Sequence, residues 1–222
     1  MADLEIVSVE KRYKNKKVLT GATLRENAGQ CIGILGKNGS GKSTLLQILA
    51  GILPRDGGSF SFMGKDMFSD GKARAGAIGY VPQGTPLYEE LTARDHLRLC
   101  GRPVGEILSG RFVKLLGVGE YLDLRVSRMS GGMKKRLAIA MALSGEQKLL
   151  LLDEPSLALD LPCKAELHRS LSDYAREGGT VLLVTHDLQE IAACDKLYIL
   201  RDGVLVSCPK DGDLSAIAER MG

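Results

Sequence analysis

The sequence has no apolar stretch long enough to cross a bilayer, no paired-cysteine spacing and no large excess of either charge. A membrane-crossing helix needs about 20 apolar residues, whereas the longest apolar runs here, such as Leu149–Leu152 and Val181–Val184, are strand-sized. The amino terminus, MADLEIVSVEKRYKNKK, carries no apolar core behind a basic start and does not read as an export signal. The five cysteines (Cys31, Cys100, Cys163, Cys194 and Cys208) are scattered and never stand at CxxC spacing. That pattern fits reduced thiols rather than a disulfide framework or a zinc site, and His96 and His168 supply no metal-ligand spacing either. With 30 basic and 27 acidic residues the net charge is +3, too small to argue for nucleic acid as a partner. No repeat, low-complexity tract or long linker is visible. These absences together predict a cytoplasmic protein that reaches a membrane only through a partner.

A length of 222 residues suits one large α/β domain or two small ones. A chain of this size buries roughly 70–75% of its unfolded surface and needs no covalent staples. The first part reads as strands: Leu4–Val9, Lys17–Leu24, Gln30–Leu35, Ser59–Met63 and Ala77–Val81, with a short helix over Ser43–Ala50. Helical spacing then takes over at Leu91–Cys100, Glu106–Leu116 and Gly132–Leu143. After these come a buried strand at Leu149–Leu152, a helix at Pro162–Arg176 and a second buried strand at Thr180–Val184. Helix Leu188–Ala193, strand Lys196–Leu200, an Asp202–Gly203 turn, strand Val204–Ser207 and a last helix, Asp213–Met221, complete the pattern. No regulatory domain is expected beyond it. Apolar strands alternating with helices predict a mainly parallel sheet covered on both faces.

Between strand and first helix stands Gly36-Lys37-Asn38-Gly39-Ser40-Gly41-Lys42-Ser43-Thr44, a direct match to GxxxxGK[ST]. Its glycines let successive backbone N–H groups turn toward one polyphosphate, and the helix start adds positive partial charge. Lys42 is expected on the β- and γ-phosphates of ATP and the Ser43 hydroxyl on Mg²⁺. A second site candidate ends the strand Lys148–Leu152, where Asp153 and Glu154 stand together before Pro155. In an open α/β sheet, ligands bind beyond the carboxyl ends of the strands, so this pair belongs beside the phosphate loop. Asp153 can hold Mg²⁺ and Glu154 can orient, or take a proton from, the water that attacks the γ-phosphate. A third candidate, Ser130-Gly131-Gly132, opens a helix with a hydroxyl and bare amides. By itself it reads equally as an ordinary helix start. The basic run Lys134-Lys135-Arg136 that follows reads as a solvated helix face.

Ser130-Gly131-Gly132, lying shortly before the Asp153–Glu154 strand, resembles the signature motif and Walker B strand of ABC ATPases. The resemblance extends along nearly the whole chain. Gln83, after Tyr80-Val81-Pro82, resembles the Q-loop glutamine that senses Mg²⁺ and the attacking water. His186 in Thr185-His186-Asp187 resembles the switch histidine, and Ala158-Leu159-Asp160 the D-loop. Tyr13 lies where the family has its adenine-stacking aromatic, although packing on the antiparallel strands would also account for it. The resemblance implies a P-loop NTPase fold with an N-terminal antiparallel β subdomain and an inserted helical subdomain. The core would span 1–85 and 145–222, and the helical subdomain 86–144. It also implies ATP hydrolysis with Mg²⁺ bound by Ser43, Gln83 and Asp153. Ser130, Gly131, Gly132 and Asp160 would contact ATP held by a second ATPase subunit, identical or homologous. A transmembrane permease would be the further partner, holding the chain at the inner face of the membrane.

Two positions depart from the common signature: Met133 stands where Gln or Glu is usual, and Met129 where Leu is. Neither removes the Ser130 hydroxyl or the glycine amides. The string SGGMKKR looks most like the subfamily serving ABC-2-type exporters. Two other readings stay open, a soluble ABC-type ATPase uncoupled from transport and a nucleotide-binding scaffold without turnover. A single uninterrupted cassette without heptads disfavours the first, and intact Glu154 and His186 disfavour the second.

Overall fold

The computed structural model of the protein describes residues 2–209 apart from 15, 85, 146 and 158, and the helix expected at Asp213–Met221 lies outside them. Strands β1 (Leu4–Tyr13) and β2 (Lys16–Glu26) pair antiparallel. They bury Leu4, Ile6 and Val9 against Leu19, Ala22 and Leu24, as a sheet with one wet face requires. Strand β1 runs on past Val9 because Ser8, at φ 51°, sits where the register shifts, and this bulge resets the alternation. The fully buried β3 (Cys31–Leu35) leads into α1 (Lys42–Leu49). Strands β4 (Gly57–Phe62) and β5 (Lys65–Asp66) complete a four-stranded sheet in the order β2-β1-β4-β5. Helix α2 (Gly71–Ala77), capped by the Asp70 side chain, buries none of its residues, so no apolar period announces it. It ends in β6 (Ile78–Val81).

The helices α3 (Ala93–Arg98), α4 (Val104–Ser109), α5 (Arg111–Leu115) and α6 (Gly131–Ala142) follow. Where one helix was expected over Glu106–Leu116 there are two, because Gly110 leaves the helical region (φ −53°, ψ 131°). These angles are of the polyproline II type, and the break lets both Ile107 and Val113 reach the core. Strand–helix alternation then returns with β7 (Leu149–Asp153), α7 (Leu161–Arg176), β8 (Thr180–Val184), α8 (Leu188–Ala193), β9 (Lys196–Arg201) and β10 (Val204–Cys208). These strands build a six-stranded sheet in the order β10-β9-β3-β8-β7-β6. Its pairings are parallel except at β9–β10, a hairpin turned by Asp202 (φ 50°) and Gly203 (φ 80°).

Successive residues of the central strands serve opposite faces. Leu150, Leu152, Val181 and Leu183 pack with Leu137, Ile139 and Leu167 of the helices. Leu149, Leu151, Leu182 and Val184 pack with Leu45, Leu46 and Leu49 of α1 and with the antiparallel sheet. Full burial of each such side chain contributes about 1.5–3 kcal/mol. Truncating Leu151, which has no exposed surface, should therefore cost about 2–5 kcal/mol as Leu151→Ala. Ile52, 63% exposed, should tolerate Ile52→Ala within about 0.5 kcal/mol. Urea denaturation of the two variants checks the contrast.

Candidate active site

The loop Gly36–Gly41 leaves the carboxyl end of β3 and delivers α1. Gly36 and Gly41 hold φ of 146° and 107°, and a Cβ would stand 2.6 Å from Leu200 O at the first and 2.8 Å from Val18 Cγ1 at the second. Side chains are excluded at both positions, which keeps the backbone close against β9 and β2. Helix α1 opens at Gly41 with no capping side chain and no acidic residue in its first turn. Its bare N–H groups remain available to an anion.

Lys42 is almost fully buried, and its ammonium donates to Gly36 O (2.6 Å) and Lys37 O (3.0 Å). Burial pulls its pKa down, against the pull of Glu154 and Asp153 in the other direction. At the end of β7, Asp153 is 3% exposed. Burial pushes its carboxyl up, opposed by a hydrogen bond with Ser43 and by the charges of Lys42 and Lys135. Its Oδ1 is buried and has no hydrogen-bond partner. An orphaned carboxylate oxygen beside a hydroxyl is the hard-oxygen donor set that suits Mg²⁺, so these residues fit that ion.

Glu154 turns out of the strand at φ 46°, with its N–H donating to Val184 O (2.9 Å). Left-handed backbone is uncommon for a non-glycine residue and stores strain. Here it redirects the side chain from β7 to the cleft. The Glu154 carboxylate accepts from Gln83 Nε2 (3.2 Å) and lies 3.7 Å from His186 Nε2. His186 follows β8 and is held from the next residue. The Asp187 N–H donates to Thr185 Oγ1, while the Asp187 carboxylate caps α8 and accepts from Lys164 at 2.6 Å.

These groups share one cleft of about 930 Å³, lined by Gly36–Gly39, Gly41–Thr44, Gln83, Glu154 and His186, with Val18 and Leu157 at its sides. A second hollow of about 760 Å³ shares Val18 and Gly36–Gly39 and continues past Ser40 to Lys16, Lys17 and Arg201–Gly203. Tyr13 lines neither hollow. It ends β1, 44% exposed, with the Lys11 ammonium 5.5 Å from its ring centroid. Ser130 and Asp160 also lie outside the cleft. Ser130 opens α6, accepting from Met133 N–H (3.2 Å), and Asp160 opens α7, accepting from Cys163 N–H (2.9 Å). Gly131 and Gly132 form the first turn of α6, and Gly132 is packed so tightly that a Cβ there would stand 2.5 Å from Cys163 Sγ.

One expectation is corrected. Lys135 is not part of a solvated face but is 3% exposed. Its place on the buried side of α6, between Gly132 and Ile139, was a signal that the adjacent charges Lys134 and Arg136 obscured. Val18 and Leu157 line the cleft without having been singled out; nothing in their chemistry distinguishes them from core residues.

Comparison with known proteins agrees with this geometry. Residues 19–157 match the family model described as ABC transporter. The chain is 33% identical over 210 residues to Nod factor export ATP-binding protein I of Burkholderia lata, covering 91% of this chain and 69% of that protein. It is 31% identical over 221 residues to the protein of the same name from Rhizobium etli, covering 96% and 70%. Among solved structures, an ATP-binding subunit of an ABC transporter superposes with a TM-score of 0.85 at 26% identity, with 98% of each chain covered. A dimeric ATP-binding cassette in a post-hydrolysis state with ADP and Pi gives 0.81 at 28% identity, covering 95% of this chain and 100% of that one. The chain thus belongs to the ABC transporter family, as one of its ATP-binding and ATP-hydrolysing subunits.

Proposed function

We propose that two such subunits, identical or homologous, close head to tail over two ATP molecules and so drive export through a separate membrane-spanning permease. The observation that carries this reading is the convergence of Gln83 and His186 on the Glu154 carboxylate, inside the cleft that Lys42 floors. Lys42 and the loop amides bind the β- and γ-phosphates, and Tyr13, an exposed ring at the end of β1, is the residue offered to adenine. Glu154 orients the attacking water and takes its proton, Gln83 holds that carboxylate in place, and His186 donates to the γ-phosphate. Ser43, Asp153 and Gln83 would hold Mg²⁺. When bound, the ion would neutralise charge on the phosphate oxygens.

Ser130, Gly131, Gly132 and Asp160 stand at helix starts outside the cleft of their own chain. This supports their use against nucleotide held by the partner subunit. ATP then favours the closed pair, because its terminal phosphate touches both subunits, and hydrolysis removes that preference. Among the described residues no helix is long and apolar enough to cross a membrane, so the permease would carry the crossing. Export as the direction takes support from the names of the curated relatives.

Replacing the proposed base as Glu154→Gln should lower the steady-state ATPase rate by about 10²–10⁴-fold while ATP still binds. The variant should elute as a dimer with ATP in size-exclusion chromatography. Turnover at the wild-type rate would remove Glu154 from this role. Lys42→Ala removes a charge-assisted contact worth about 1.5–3 kcal/mol, so nucleotide affinity measured by titration calorimetry should fall by about 10–100-fold. Asp153→Asn removes a charge that its surroundings disfavour on balance. The nucleotide-free protein should melt higher, by about 2–4 °C for each kcal/mol relieved, and lose the extra stabilisation that Mg²⁺ adds to ATP. Scanning calorimetry with and without the ion tests both halves.

A further inference from the structure

Lys135 is a charged group that the mechanism above leaves unused. It projects from α6, the helix that Ser130 opens, into a nearly dry position. Its ammonium has two backbone acceptors, Pro82 O and Gln83 O, each at 3.4 Å. Both carbonyls belong to the stretch just past β6 that lies outside any helix or strand. The same stretch bears the Gln83 side chain, whose Nε2 donates to Glu154 Oε2 at 3.2 Å.

The charges that act on this ammonium come from two further elements. Asp153 is at the tip of β7 and Glu190 is on α8, and both raise the Lys135 pKa, although burial outweighs them and leaves it lowered. Glu190 is itself 1% exposed, and both its carboxylate oxygens lack a hydrogen-bond partner. The His168 imidazole Nε2 on α7 lies 3.4 Å from its Oε1. A cation this deeply buried is costly, and an apolar side chain of similar length would suit fold stability better. The geometry explains why a charge sits there. A single ammonium is hydrogen-bonded to the Gln83 segment and lies in the field of Asp153 and Glu190, while fixed to the helix behind Ser130.

We propose that Lys135 is a positioning residue that fixes the Gln83 backbone to helix α6, so that the placement of this helix sets the alignment of Gln83 on Glu154. This rests on the roles given to Gln83 and Glu154 above. Movement of α6 toward a partner's nucleotide then moves Gln83 as well.

The test is a double-mutant cycle on the full chain, read as kcat and KM for ATP. Lys135→Met should lower kcat about tenfold with KM within about twofold of wild type. In a Gln83→Ala background, Lys135→Met should cause no further loss, because the group it positions is gone. Lys135→Gln retains an N–H donor and should lose less than Lys135→Met, with the same absence of effect in Gln83→Ala. It is the variant to read if the apolar one does not fold. A wild-type kcat for Lys135→Met overturns the proposal. So do losses that multiply in the double variant while Gln83→Ala alone is impaired. A wild-type kcat for Gln83→Ala overturns instead the site reading on which the proposal stands.

Discussion

The site exists because β3, β8 and β7 run the same way, side by side and buried on both faces. Parallel strands end together, and whatever follows them opens at one edge of the sheet. Here that edge receives the phosphate loop from β3, Asp153 and Glu154 from β7, and His186 from beyond β8. No side chain has to reach far. The pairing of Leu152 with Leu183, and of Asp153 with Val184, fixes how far the acidic pair stands from the histidine. A slip of one residue would turn Asp153 and Leu152 to each other's faces and put a carboxylate in the core.

That edge is electrostatically expensive in the nucleotide-free protein. Burial disfavours the charge on Lys42 and on Asp153 alike. The lysine is left to its own loop carbonyls, and Asp153 Oδ1 and Ser40 Oγ are buried without partners. Glu154 adds left-handed backbone. Such costs persist where surrounding packing over-determines the local structure, and the leucine-rich strands supply that packing. A polyphosphate entering the loop would give the Lys42 ammonium and the Ser40 hydroxyl acceptors, and a cation accompanying it would give Asp153 Oδ1 a partner, so binding energy is available without rearranging the sheet.

Much of this was legible beforehand because the governing signals are local. Gly36–Thr44 and Asp153–Glu154 declare themselves by composition at strand ends, and the central strands by unbroken apolar runs. What escaped notice depends on tertiary context. Helix α2 buries no residue fully and rests on the core only through Ala73 and Ala77, so its sequence has no period to read. Ser8 breaks an alternation that the strand nonetheless survives. Gly110 divides a helix whose apolar spacing continues across it. Lys135 looks like its neighbours Lys134 and Arg136, and only the approach of the segment after β6 makes one of the three an interior residue. Tyr13 takes its assignment from its position in the chain alone, and its ring stands exposed at the end of β1.

The outward-facing helix starts are themselves joined. Gly132 of α6 meets Cys163 of α7 with no room for a Cβ between them, and Arg136 reaches Glu166 at 3.2 Å across the same two helices. Tyr121, over whose ring the Arg136 guanidinium lies at 5.9 Å, donates its hydroxyl to Met133 O. Close packing transmits displacement rather than absorbing it, so Ser130 and Asp160 have little freedom to move independently. In the proposed assembly both would meet the partner in a single step. Lys164, one turn into α7, carries that step to Asp187 and the His186 segment, while Lys135 carries it to Gln83. The base and histidine of each subunit would then be tied to the helix starts with which it completes the site of the other, which is a physical reason for two sites to work as a pair.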